Sequence, residues 1–425
     1  MRDGATRPTS GRSRLRRVLP MASLFGLLLL ASCGFRPASD LILVVRDGVM
    51  WTIHPDGTEK HQVGSATIVS AAWSPDHHQI VARGVARGGA LDPGTAVRGA
   101  PDARADLYVT TVNGNSLLQI TPQENGVLRG DAWWNPNGNR LLYTERFQPA
   151  NGGFTAPLYV SSQADQPAGI ARTGVSDAVT VPVQSPDGSR VAVIDSHGNV
   201  RLGPPGKSGD IIATAALATY ASGHPGRILW QPRHDALVWA QAGSGGVVIL
   251  RQALGSRAAA LGMVPSLRDM AFSPDGSHLL LSTGTDFQVW DMRQPGHAVA
   301  QWTEGDAAAL PWWSPGGGRV LVMTHTDISV VEIASGARTT LVTLAEPLAD
   351  PVSPIGSWHP ATAYPWSADG ASAVFTGTPG AATSGAGVYV TPVGHAGPPR
   401  LIDAGTPALA TWGSADPSTC FLIPA

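Results

Sequence analysis

The chain has 425 residues, a net charge of −2, and only 14% charged residues against 43% hydrophobic ones. A balance this neutral excludes the basic footprint of a nucleic-acid binder and any strong electrostatic pull toward an anionic membrane surface. Gly and Pro together fill 85 positions, a fifth of the chain, which suits short strands joined by turns, and two cysteines, Cys33 and Cys420, are too few for a disulfide scaffold.

The N-terminal stretch comes first in chain order. Arg12, Arg14, Arg16 and Arg17 make a basic start, and residues 18–30 are apolar. At about 13 residues that run is short of the ~20 needed to span a bilayer, so it reads as a signal peptide. The letters that follow, "LASC" at residues 30–33, resemble the bacterial lipobox. The resemblance implies a diacylglyceryl group on the thiol of Cys33 and cleavage just before it. The expected division is a signal peptide over 1–32, lipidated Cys33 with a short tether over 33–40, and one folded domain over 41–425. The expected location is the extracytoplasmic side of a bacterial membrane. Two or three acyl chains on one cysteine hold firmly where a single chain does not.

From residue 41 the sequence repeats. Eight anchor positions recur, at Trp73, Trp134, Gln184, Trp230, Phe272, Trp313, Trp366 and Trp412, with spacings of 61, 50, 46, 42, 41, 53 and 46 residues. Periods of 40–50 with insertions mark a propeller or solenoid. After the anchors stands a Ser-Pro-Asp-Gly turn or a variant of it, in which Pro fixes φ and Gly takes the left-handed position. An apolar run follows, such as "RVAVID" or "RVLVMT", then a third strand, such as "DLYVTTV", "DFQVWDM" or "DISVVEI", then a polar turn and a more polar fourth strand. Four short strands per unit, each sheet burying both faces on its neighbours, satisfy this pattern. The predicted fold class is all-β.

The unit resembles the TolB-type, WD-repeat-like β-propeller repeat, and the resemblance covers residues 41–425. It implies a propeller of four-stranded blades and says little about function. Gln184 lacks the aromatic, the turn after Trp230 lacks the Gly, and Ala368 replaces the Pro. The TolB protein's separate α/β domain has no room here, so its partners are not carried over. Residues 41–63 look like strands two to four of a unit without its anchor. The last residues look like an anchor strand without its followers. Pairing of these ends would remove exposed edges and give eight blades, with seven as the alternative. Leu41–Val45 and Cys420–Ile423 compete for the second strand of that composite unit, so one of them must be displaced.

Antiparallel order puts the Ser-Pro-Asp-Gly turns on one face and the second-to-third connections and inter-unit links on the other. The long insertions, 84–105, 146–156, 377–386 and 344–363, all fall on the second face, around the composite unit. Loops of this kind concentrate function. Within 354–364, Trp358, His359 and Tyr364 are the candidate contact residues. The doubled aromatics Trp133–Trp134 and Trp312–Trp313 read as core between sheets, because adjacent strand residues point to opposite faces. No Gly-x-Ser-x-Gly elbow, His-Glu-x-x-His, EF-hand loop or Gly-x-x-x-x-Gly-Lys occurs, and His77–His78 reads as a solvated pair in a turn. No catalytic residue, metal or cofactor is expected. The expected function is non-catalytic binding of a protein or cell-envelope polymer. A propeller enzyme acting on glycans or peptides at the channel mouth, and a spacer with no ligand, are the alternatives.

Overall fold

A computed structural model describes most of residues 40–423; residues 1–39, 86–104, 148–157, 166–181, 215–226, 346–358, 361–363, 381–384, 406–408, 414–421 and 424–425, with a few single or paired positions, lie outside the described set. The described part belongs to one unit, 37–425. Every strand pairing in it is antiparallel, and the strands sort into eight sheets and one short ribbon.

Sheet 1 takes its first strand, Leu409–Thr411, from near the C-terminus and its other three, Ile42–Arg46, Val49–Ile53 and His61–Val63, from the start of the domain. Leu43 pairs with Thr411 and Val45 with Leu409. Sheet 2 runs Thr67–Trp73, Gln79–Val85, Asp106–Thr111, Leu118–Gln119. In sheet 3 a broken first strand, Val127–Arg129 and Trp133–Trp134, lies on Arg140–Phe147, which pairs with Leu158–Gln163. Sheet 4 comprises Val183–Gln184, Val191–Ile194, Asn199–Gly203 and Asp210–Thr214. Sheet 5 comprises Ile228–Trp230, Ala236–Gly243, Gly246–Ala253 and Ala259–Val264. Sheet 6 follows with Asp269–Phe272, His278–Ser282, Asp286–Asp291 and Ala298–Thr303. Sheet 7 has Leu310–Trp313, Arg319–Met323, Asp327–Glu332 and Arg338–Thr343. Sheet 8 has Ser372–Gly377, Gly387–Pro392 and Arg400–Ala404, with Trp366 bridged to Ala373 in the first-strand place.

The anchor residue closes the first strand in sheets 2 to 7, and the turn behind it makes its own hydrogen bonds. In sheet 6, Ser273 Oγ donates to Asp275 Oδ1 (2.6 Å), Ser277 N–H donates to the same oxygen (3.0 Å), and Gly276 N–H donates to Ser273 O (2.8 Å). The turns at Ser185–Gly188 and Ser367–Gly370 repeat this pattern. Gly276, at φ +71°, also lies so close to Pro232 O of sheet 5 that a Cβ there would collide with it. At the same place after Trp73 stands His77, at φ +59°, stacked on the Trp73 ring at 5.5 Å. The solvated-pair reading therefore holds for exposed His78 only; His77 spends one ring face on the anchor. After Trp230 the left-handed residue is Arg233, at φ +61°, one position earlier.

One packing rule runs through the molecule: each aromatic anchor joins the apolar cluster it shares with the preceding sheet. Trp73 packs between sheets 1 and 2, Trp134 between 2 and 3, and Trp230 between 4 and 5. Phe272, Trp313 and Trp366 do the same from sheet 5 through to sheet 8. Trp412 joins sheet 8 to sheet 1. The two members of a doubled aromatic point to opposite faces, so Trp313 packs toward sheet 6 and Trp312 toward sheet 8. Three indoles also donate hydrogen bonds backwards: Trp134 to Ala72 O (3.2 Å), Trp313 to Ala271 O (3.3 Å) and Trp366 to Trp312 O (3.0 Å).

The competition for the second strand of sheet 1 is won by Ile42–Arg46, which pairs with Leu409–Thr411 and Val49–Ile53 in one continuous ladder. The displaced segment is Leu422–Ile423, which forms the ribbon with His359–Pro360. Cys420 lies outside the described residues. In five sheets a register shift interrupts the pairing of third and fourth strands, as between Val289 and Trp290. Such bulges increase local twist at a sheet edge, and nothing in the repeat announces them.

Candidate binding face

The two ends of the sheets differ in how they use their polar groups. At the turn end the aspartates are consumed locally. Asp187 is held down at about 2 by the Ser185 hydroxyl and the N–H and hydroxyl of Ser189. The Ser367 hydroxyl and Ala371 N–H lower Asp369 likewise. For Asp275, burial works against the charge, and the bonds from Ser273 and Ser277 outweigh it. These carboxylates stay ionised and point back into their own turns.

At the other end, polar groups reach between sheets. Asp106 opens the third strand of sheet 2 directly after the 84–105 insertion. Its Oδ1 accepts from Arg129 Nη1 of sheet 3 (2.7 Å). Arg129, fully buried, also donates from Nε to Glu145 (3.0 Å), at the base of the 146–156 insertion, and from Nη2 to Glu124 (3.2 Å). Gln119 and Thr121 complete the shell around Asp106, at 3.2 and 3.3 Å. One guanidinium thus faces three carboxylates. Burial, only partly offset by Arg129 and reinforced by Glu124, pushes Asp106 up to about 6.

A second group lies at the same end of sheet 7. His325 Nδ1 lies 2.5 Å from Asp306 Oδ2, and the His325 N–H donates to the same oxygen at 2.8 Å. Arg338 runs lengthwise along sheet 7 to meet Glu304 (3.1 Å) and Asp327 (3.1 Å). Leu344 and Ala345, the described start of that segment, donate their N–H groups to Thr326 O and Thr378 O (both 2.8 Å). Between sheets 5 and 6, Arg227 binds Asp269 (2.6 Å) and Met270 O (2.8 Å). Among the described residues, no three His, Cys, Asp or Glu side chains converge as a metal site would require.

The residues named from sequence fare differently. Cys33 and Trp358 lie outside the described residues. His359 opens the two-residue strand that pairs with Leu422–Ile423, so its backbone is in a ribbon and not in an irregular loop. Tyr364 requires correction as a contact residue. It is 9% exposed, its hydroxyl donates to Trp313 O (2.8 Å), and its N–H donates to Thr411 Oγ1 (2.8 Å). The ring belongs to the apolar cluster between sheets 7 and 8, because a Tyr this close to an anchor strand gains more from burial than from display. Asp106, Arg129, Glu145, Asp306 and His325 were not singled out from sequence. A signal existed: Asp106, Asp286 and Asp327 each open a third strand in the quoted repeats, and each accepts a bond from a Thr hydroxyl, of Thr121, Thr303 and Thr324 respectively.

No protein-family model matches the chain, and no curated protein matches it. Solved structures do. The chain is similar to a eukaryotic initiation factor structure at 10% identity, with 91% of this chain and 98% of that one covered and a TM-score of 0.50. An oligogalacturonate lyase in complex with manganese matches at 12% identity, 82% and 98% coverage and a TM-score of 0.45. The tricorn protease matches at 12% identity over 82% of this chain and 33% of its own, with a TM-score of 0.37. Likeness at these identities concerns fold alone. The described chain is all-β and antiparallel, assembled from repeated and mostly four-stranded sheets, an arrangement consistent with a β-propeller.

Proposed function

We propose that the chain is a lipid-anchored, extracytoplasmic propeller of eight blades that binds a protein or cell-envelope polymer through the face carrying its insertions, without catalysing a reaction. Eight sheets succeeding one another, with an apolar cluster between sheets 8 and 1, support the eight-bladed ring. Pairing of Ile42–Arg46 with Leu409–Thr411 supports closure by the two ends. The order basic start, apolar run, "LASC" supports anchoring through Cys33.

The observation that carries the reading is the difference between the two faces. One is saturated by Ser-Pro-Asp turns. The other bears the insertions on bases fixed by Arg129 with its carboxylates and by Asp306 with His325. Fixed bases pre-organise loops and cut the entropic cost of binding. In-cell cross-linking of the anchored protein, repeated with 344–363 shortened, tests the face: capture of a defined partner should fall with the shortened loop, and undiminished capture refutes the choice. Cys33→Ser should release the protein or leave its precursor uncut, and normal processing with membrane retention refutes lipidation. The second reading, a propeller enzyme, has the half-exposed Asp306–His325 pair on its side as an acid–base couple. Turnover of a glycan or peptide that His325→Ala abolishes would favour it over binding alone.

A further inference from the structure

We propose that the ring, when it opens, opens between sheets 3 and 4 and not at the seam in sheet 1, where the two ends of the chain pair beside sheet 8. The inference rests on the ring reading above.

Seven anchors wedge an aromatic into the cluster shared with the preceding sheet; the eighth is Gln184. Its neighbour Val183 packs with Ala192 and Ile194 toward sheet 5. By strand alternation Gln184 therefore faces sheet 3, the place an indole fills elsewhere. Gln184 is 7% exposed, and both its Oε1 and Nε2 are buried without a hydrogen-bond partner among the described residues. A buried amide left unpaired favours any state that wets it, whereas an indole there would favour the packed state. Nor does Gln184 Nε2 make the backward bond to a preceding carbonyl that the indoles of Trp134, Trp313 and Trp366 make. A polar tie between the two sheets lies at the turns, where Asn137 Nδ2 donates to Asp187 O in an exposed position.

The terminal junction is built the opposite way. Trp412 sits in the cluster between sheets 8 and 1. Outside it, Asp403 of sheet 8 receives Arg46 (2.7 Å) and Lys60 (2.7 Å) from sheet 1. Lys60 also lies over the Trp51 ring at 4.6 Å, and Arg400 donates to Pro55 O at 2.5 Å. The seam of the two ends, the pairing of Leu409–Thr411 with Ile42–Arg46, lies inside sheet 1, and sheet 8 is tied across it to the N-terminal strands by apolar and ionic contacts together. The junction of sheets 3 and 4 is left with a polar wedge. Opening there would shift the insertion-bearing sheets 2 and 3 against sheets 4 and 5 while the ends stay locked.

Hydrogen–deuterium exchange of the full chain, read by mass spectrometry, tests this. Peptides over 133–147 and 183–194 should exchange at least tenfold faster than those over 42–53 and 400–411. Gln184→Trp should slow exchange in both sheets 3 and 4 by a similar factor and leave sheets 8 and 1 unchanged; should that variant not fold, Gln184→Leu carries the same reading. Faster exchange at the terminal junction, or no response to either folded variant, overturns the proposal. A Leu43→Cys, Thr411→Cys pair separates this from the ring itself. If the pair fails to form a disulfide, the ring reading falls and the proposal with it. If it forms while sheets 3 and 4 stay protected, only the proposal falls.

Discussion

Arg233 and His77 both occupy a backbone region that suits glycine, yet they are not equivalent. A left-handed conformation costs an L-residue roughly 1–2 kcal/mol. His77 recovers part of this by stacking on Trp73, with ring planes 10° apart. Arg233 has no such ring contact among the described residues. Arg233→Gly should therefore raise stability by about 0.5–1 kcal/mol in urea denaturation, and His77→Gly should gain less. Asp106 makes a different residue-scale prediction. Its carboxyl titrates at about 6 when folded and at 3.8 in the reference state, so the folded form holds the proton more tightly. The stability this contributes is fully present below pH ~4 and lost as pH rises through 6. The stability difference between wild type and Asp106→Asn should thus favour wild type more at pH 4.5 than at pH 7. An unchanged difference would mean that Arg129 keeps Asp106 ionised throughout.

At the scale of the element, the Ser-Pro-Asp-Gly turn was fully legible. Ser, Asp and Gly each have one bonding role, and the same roles recur after Gln184, Phe272 and Trp366. Asp275→Ala removes bonds from Ser273 Oγ, Ser277 N–H and Ser277 Oγ. It should cost about 1–2 kcal/mol. Trp366→Phe keeps the ring but leaves Trp312 O without its indole donor, and should cost about 1–2 kcal/mol by the same thermal or chemical denaturation. Less legible was anything that depends on the neighbouring sheet. Arg129 meets Asp106 across 23 residues, and no local pattern links "VLR" to "DLY". Tyr364 looked like a loop aromatic because its hydrogen-bond partners, Trp313 and Thr411, lie 51 and 47 residues away. The third-to-fourth bulges left no trace either, since a bulge is set by twist and not by a residue type.

At the scale of the whole molecule, the order of sheets followed from spacing, because each unit needs the next one to cover its apolar face. The assignment of Ile42–Arg46 over the C-terminal segment did not, since both are short apolar runs and only pairing length decides between them. Asp403→Ala should weaken the junction of sheets 8 and 1 and lower stability by about 1–3 kcal/mol, because Arg46 and Lys60 lose one shared partner. Raising the salt concentration should narrow that loss, as both cations are partly exposed.

The split origin of sheet 1 also sets a schedule. Ile42–Arg46 emerges early from the ribosome, while its partner Leu409–Thr411 is made more than 360 residues later. Through nearly the whole of synthesis the earliest strand waits with a bare hydrogen-bonding margin, a template for mispairing with other nascent chains. Completion of sheet 1 thus waits on synthesis of Leu409–Thr411 and not on any earlier sheet.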